Sequence, residues 1–169
     1  MAIAEPDKMI SCIGCGAVVP AIDGPTHAYI GASPGCWAIY GEVLAKEYSD
    51  YRFAPVHRLT VDTYAVQHPG KCERRAIQSV AVHLIGLYVT LECGFDNARA
   101  IQVIKNGADR SSSFSWLEPP ISPGTMTVLD VHRVGDDSDE HKRLVTEWAL
   151  TTWAAWSLHH AQIRQWAAL

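Results

Sequence analysis

The segment Cys12-Ile13-Gly14-Cys15-Gly16 limits what this chain can fold into more than any other stretch. Two cysteines two residues apart, followed at once by glycine, form a turn that presents two thiolates to one metal ion. Gly14 and Gly16 are expected to give that turn positive φ and to free backbone N–H groups toward the sulfurs. His27 and Cys36 follow in the spacing C-x2-C-x11-H-x8-C, which offers three thiolates and one imidazole. That is the donor set of a tetrahedral structural zinc (Zn2+), and a site with four protein ligands is closed to chemistry. The alternative, a redox-active CxxC, needs a strand before it and a helix after it. The glycines around Cys15 and the following Val18-Val19-Pro20 argue against that helix. The reading is a zinc on Cys12, Cys15, His27 and Cys36 that staples residues 12–36 to the rest of the chain.

Five cysteines are an odd set, two of them in the CxxC, which suits a reducing compartment better than a disulfide framework. Residues 1–11 lack the basic start and apolar run of a secretory signal. The longest apolar run, residues 80–91, is interrupted by His83 and falls short of the ~20 residues that cross a bilayer. The 14 Lys and Arg are scattered in a chain of net charge −4, without the basic patch of a nucleic-acid-binding protein. The expectation is a cytoplasmic protein of one domain over residues 1–169, with no nucleic-acid or membrane partner. Its oligomeric state cannot be read from the chain.

Punctuation and periodicity predict a mostly α-helical bundle of about five helices over residues 36–169, with 12–35 irregular. Ser33-Pro34 opens a first helix that ends at Ser49-Asp50, and a second runs from Pro55 to His68, stopped by Pro69-Gly70. A third, from Glu73 to Glu92, is apolar on nearly every side through its middle, as the central helix of a bundle is. Asp96 caps a fourth through Lys105, and residues 107–125 read as a loop. Thr127–His132 has strand character, and Ser138 caps a long helix to Leu169.

The strings GPTHAYIGASPGCWAIYGEVLAKEYSD and VHRLTVDTYAVQHPG resemble a family of small bacterial proteins known only as a domain of unknown function, with similarity over most of the chain. That resemblance implies no activity. A fainter likeness links His159-His160-Ala161-Gln162-Ile163 to the last helix of DinB-like four-helix proteins, which bind a metal through three histidines. The position four before His160 is Trp156, so one expected ligand is missing, and the likeness supports a helical bundle more than a metal centre.

Candidate chemistry gathers on the helices. His57, Asp62, Tyr64 and His68 share the second helix with a carboxylate and a phenol, His83 interrupts the apolar third helix, and His160 stands on the last. His57 and His68 are eleven residues apart, about 16 Å along one helix, so they cannot share an ion. An imidazole inside an apolar helix must be hydrogen-bonded or lose ~1–3 kcal/mol. Asp62 is the candidate to orient His83 as a general base, with Tyr64 as a proton donor on the same wall and Glu147 as a further carboxylate. His83 also reads as a satisfied core histidine, and the Trp-rich helix as simple packing. Nucleotide-binding, zinc-protease and nucleophile-elbow motifs are missing. Two functions remain: an enzyme or binding protein for a small molecule built on a His/Asp pocket, a metal-dependent hydrolase being one form of it, with room for a second metal, or a non-catalytic interaction module in which zinc is purely structural. Cys93 reads as a small buried residue, and Cys72 has no assigned role.

Overall fold

A computed structural model describes residues 8–168. Residues 1–7 and Leu169, the last residue of the expected final helix, lie outside the described residues. The described chain forms a short hairpin, β1 (Met9–Ser11) and β2 (Val18–Pro20), then seven helices. These are α1 (Pro34–Ser49), α2 (Ala54–Gln67), α3 (Arg74–Leu91), α4 (Asn97–Asp109), α5 (Val128–His132), α6 (Ser138–Ala155) and α7 (His160–Trp166). The mostly helical bundle matches the expectation, and the first three helices begin and end within a residue of their predicted stops, whereas α4 runs through Asn106-Gly107 to Asp109.

Three elements differ. Residues 12–35 are not irregular throughout: β2 pairs antiparallel with β1, Ile10 opposite Val19, and the CxxC is the turn between them. Three-residue strands carry too little pattern to be read as strands, and they stay paired because the turn is anchored. Thr127–His132 is a helical turn, not a strand. Thr127 and Asp130 form a reciprocal capping box, which outweighs the extended look of Val128 and Val131. The last helix is broken at Trp156, although neither proline nor glycine stands there. The Trp153 carbonyl accepts the N–H of Trp156 at 3.0 Å and Nε2 of His160 at 2.9 Å, and the chain turns so that both Trp156 and Ile163 are buried. Asp137, rather than Ser138, caps α6.

Helix α3 packs against α2, α4, α6 and α7, as a central helix should, while α1 lies on α5 and α2. Less expected is α2, which is as deeply set as α3 yet buries Thr60, Asp62, Thr63 and Gln67. Each finds partners. Gln67 donates to the carbonyls of Met126 (2.7 Å) and Pro123 (3.1 Å) and accepts from Trp148 Nε1 (3.0 Å), which ties the 107–125 loop to α6. Buried polar groups are tolerated when paired in this way. The polar spine of α2 therefore places its carboxylate and histidines inside the molecule, where they bear on function.

Candidate metal centre and histidine–carboxylate pairs

Cys12 and Cys15 are held by the hairpin turn, where Cys12 N donates to Ala17 O at 2.8 Å and Gly16 N to Cys12 O at 2.9 Å. Gly16 has φ +78° as expected, but Gly14 is needed for space instead. A Cβ there would strike the Gly31 carbonyl and lie 2.5 Å from the ring of His68. Cys36 stands in the first turn of α1, whose positive end favours a thiolate. The fourth group is His68, at the C-cap of α2. Its Nδ1–H donates to the Tyr64 carbonyl at 2.8 Å, which also accepts the His68 backbone N–H at 3.1 Å, and this bond fixes the tautomer. Its Nε2 is thereby turned to the sulfurs, 3.4 Å from Cys36 Sγ.

The ligand atoms of Cys12, Cys15, Cys36 and His68 all lie within 4.8 Å of one another, and all four residues are buried. A tetrahedral ion with metal–sulfur bonds of about 2.3 Å has sulfur–sulfur edges near ~3.8 Å. Cys15 and Cys36 are 3.9 Å apart. The outer contacts also fit, since Ser33 N and the Tyr64 hydroxyl each donate to a sulfur, Cys12 and Cys36 respectively, at 3.5 Å. Three thiols and an imidazole in one buried space hinder one another without a cation. Hydrogen bonds from Cys15 and then Cys36 pull Cys12 far below the ordinary thiol range, while the Cys12 partner pushes Cys15 far up and Cys36 up to about 12. Burial weighs most on His68 and would lower it, but the hydrogen bonds to Cys12 and Cys15 prevail and raise it to about 9. A divalent cation removes the conflict by stabilising all the thiolates at once.

His27 is not beside the sulfurs. It is exposed, its ring 4.2 Å from that of Tyr29 and 5.9 Å from that of Trp37. His68 takes the place because the end of α2 meets the hairpin: Gly31 N donates to His68 O at 2.9 Å, and Ile30 bridges to Pro69. Among the described residues, no second group of three or more Cys, His, Asp or Glu comes together closely enough to hold another ion. Cys93 is exposed rather than buried, as is Cys72.

The expected helical cluster divides. Asp62, fully buried, accepts from His83 Nδ1 at 2.7 Å, so the pair forms as expected, and Nε2 of His83 meets no partner among the described residues. Gly86 permits it, because a Cβ there would lie 2.7 Å from the Asp62 carboxyl carbon. Arg58, one turn before Asp62, joins through Nη2 to Asp62 Oδ1 and through Nε to Oδ2 at 3.2 Å, and its Nη2 also lies 3.0 Å from His83 Nδ1. Its guanidinium occupies the cation position beside this carboxylate. His83 lines two cavities, one of about 330 Å³ with Tyr29, Arg75 and Ser79, the other of about 130 Å³ with His27, Trp37 and Tyr64. Tyr64 is not the proton donor expected there. Burial first, and then the charge on Cys36, push its phenol up, and its hydroxyl is committed to Cys36. Its ring joins the two regions, stacked at 4.0 Å on His68 and at 3.8 Å on Tyr40.

His57 belongs to a different group. Its Nδ1 is 2.8 Å from Oε2 of buried Glu47, whose Oε1 meets His141 Nε2 at 2.8 Å and the Thr60 hydroxyl at 2.6 Å. His160 lies stacked on Trp153 at 3.8 Å, bonded to the Trp153 carbonyl, and His159 bonds to the Glu118 carbonyl, so neither meets Asp62 or His83. Glu147 is exposed, paired with Arg143. Arg58 was legible as an i,i+4 partner of Asp62. Glu47 and His141 carry no local signal, because their meeting depends on how α1 and α6 pack.

No curated protein and no solved structure matches this chain. The model for the Family of unknown function (DUF5946) matches residues 10–157, and the chain belongs to that family.

Proposed function

We propose that this protein is a small-molecule enzyme of hydrolase type in which a structural zinc holds the hairpin to α1 and α2, while His83, oriented by Asp62, handles the proton. The observation that carries this reading is the 2.7 Å Asp62–His83 pair at the edge of two cavities. A carboxylate on Nδ1 holds the ring in one tautomer and leaves Nε2 as the basic atom. The zinc is not at the chemistry, because a thiolate–imidazole set of four leaves no open position. Arg58 stabilises the Asp62 carboxylate, so the working pair needs no second metal.

The test is a screen of hydrolysable esters, amides and phosphoesters with wild-type protein and His83→Gln. The reading expects a turnover that falls ~10²–10⁴-fold in the variant while the fold and the metal content persist. Turnover undiminished in His83→Gln, or a ¹⁵N spectrum with the His83 proton on Nε2 instead of Nδ1, contradicts it.

A second reading, an interaction module, has one observation in its favour. Ile13, 80% exposed at the tip of the metal turn, and fully exposed Ile121 line one groove of about 730 Å³. Large exposed apolar groups on one groove suit a protein partner. Retention of all partner binding in His83→Gln, together with its loss in Ile13→Asp, is the outcome that reading expects.

A further inference from the structure

We propose that the Arg75–Ser79–His83 face of α3 is the binding site of a small molecule with an anionic group, a carboxylate or a phosphate, held by Arg75, and with its reacting end at Ser79 and His83. The inference rests on the reading of His83 as the proton-handling group, and adds the substrate class. The three residues stand at successive i, i+4 steps, on one face of the helix and about 12 Å from first to last. All three line the cavity of about 330 Å³, with Tyr29, Gln78 and Val82 completing its wall. That volume suits a small metabolite rather than a macromolecule.

Two independent features call for a polar, negative occupant. Ser79 is only 8% exposed and opens on both cavities that His83 lines, yet its hydroxyl bonds to no described residue. The buried hydroxyls of Thr60 and Thr63 on α2, by contrast, each bond back to a carbonyl one turn earlier. The Ser79 hydroxyl is thus open to the cavity and free to bond to an occupant. The second feature is Arg75, which makes no ion pair with any described residue and sits in the first turn of α3. That turn holds no acidic side chain, and the Glu73 N-cap makes no side-chain bond to it. A cation at the positive end of a helix is placed against the dipole, and the two together favour an anion. Serine and histidine one turn apart on the same face, beyond that anchor, then meet the remainder of the ligand.

The experiment is an NMR titration of the metal-loaded full chain with phenyl phosphate, phenylacetate and, as the neutral control, benzyl alcohol. The proposal expects at least one of the anions to move the amides of Arg75 and Ser79 together with the His83 ring, with benzyl alcohol inert. The tighter anion identifies the group. Arg75→Gln is expected to weaken that binding by about tenfold or more, and Ser79→Ala by less, since a bond to a charged group is the stronger one. No response to either anion, or equal affinity in Arg75→Gln, overturns the proposal. The His83 Nδ1–H resonance in the ligand-free spectra separates the two claims. If it reports the Asp62 bond while the anions do not bind, this inference alone fails. If an anion binds through Arg75 while that bond is missing, the anchor stands and the general-base reading fails.

Discussion

His68 and His83 are both held by groups on α2, yet one is sealed and the other opens on two cavities. Around His68 every donor is spoken for: Nδ1–H by a backbone carbonyl, and Nε2 by three thiols close enough for one ion. Around His83 a carboxylate holds Nδ1, and Nε2 has no partner among the described residues. Equal chemistry in the ring thus gives unequal roles. A closed set stabilises, because any ion it holds is bound only by the folded chain. An open pair costs packing and is useful only if something enters.

The largest expected difference between the regions is in stability. Cys36→Ala, or removal of the metal by a strong chelator, should lower stability by more than about 3 kcal/mol and melt the hairpin first, because metal-binding energy is folding energy here. His83→Ala should cost about 1–2 kcal/mol or less and leave the metal bound. Thermal unfolding with and without chelator measures both. The metal-stripped protein has its own pH signature. A His68 raised from 6.5 to about 9 gives stability that is lost as pH rises across that window, but a Cys12 held far below the thiol range gains over the same window, because the unfolded thiol keeps its proton up to about 9, so the two slopes oppose. In the loaded protein an ion replaces the protons of all four groups, so stability should instead rise with pH between 6.5 and 9; melting curves across this window check it.

Gly14→Ala sharpens the same contrast, since its methyl would press on the His68 ring and the Gly31 carbonyl. About 1–3 kcal/mol of destabilisation is expected, with weaker metal retention in a chelator competition. Asp62→Asn acts on the open side alone. It should cost about 1–3 kcal/mol by leaving Arg58 without its carboxylate, and it should change the His83 tautomer while the metal content stays constant. Smallest is Arg164→Gln, which frees Glu92 on the surface between α7 and the end of α3. Bonds from Arg164 and Trp153 hold Glu92 below its usual carboxylate range, so their contribution is present above the unfolded value and lost as the solution is acidified. At such exposure it should amount to under about 1 kcal/mol at neutral pH.

Helices α1 to α3 and the start of α4 were legible because Ser33-Pro34, Pro69-Gly70 and Asp96 mark their ends in one-residue detail, while Asn106-Gly107 did not stop α4, which runs on to Asp109. The break before α7 was not, since it arises from Trp153, Trp156 and His160 packing as a group. The metal site was legible where its ligands are close in sequence, at Cys12, Cys15 and Cys36. The fourth group was sought nearby, at His27, but the one beside the sulfurs is His68, thirty-two residues beyond Cys36, because the end of a helix closes the hairpin. The Asp62–His83 pair was legible from a polar side chain in an apolar helix that needs a partner. The Glu47 network was not, because each of its groups looks like an ordinary helix residue until α1, α2 and α6 meet.

X-ray absorption at the zinc edge, on protein loaded with one equivalent of zinc, tests the central claim most directly. A closed staple completed by His68 should show three sulfurs at about 2.3 Å and one nitrogen at about 2.0–2.1 Å. That nitrogen should persist in His27→Ala and disappear in His68→Ala. A bound water or oxygen in the wild-type shell, or a nitrogen lost with His27 and kept without His68, would contradict the account.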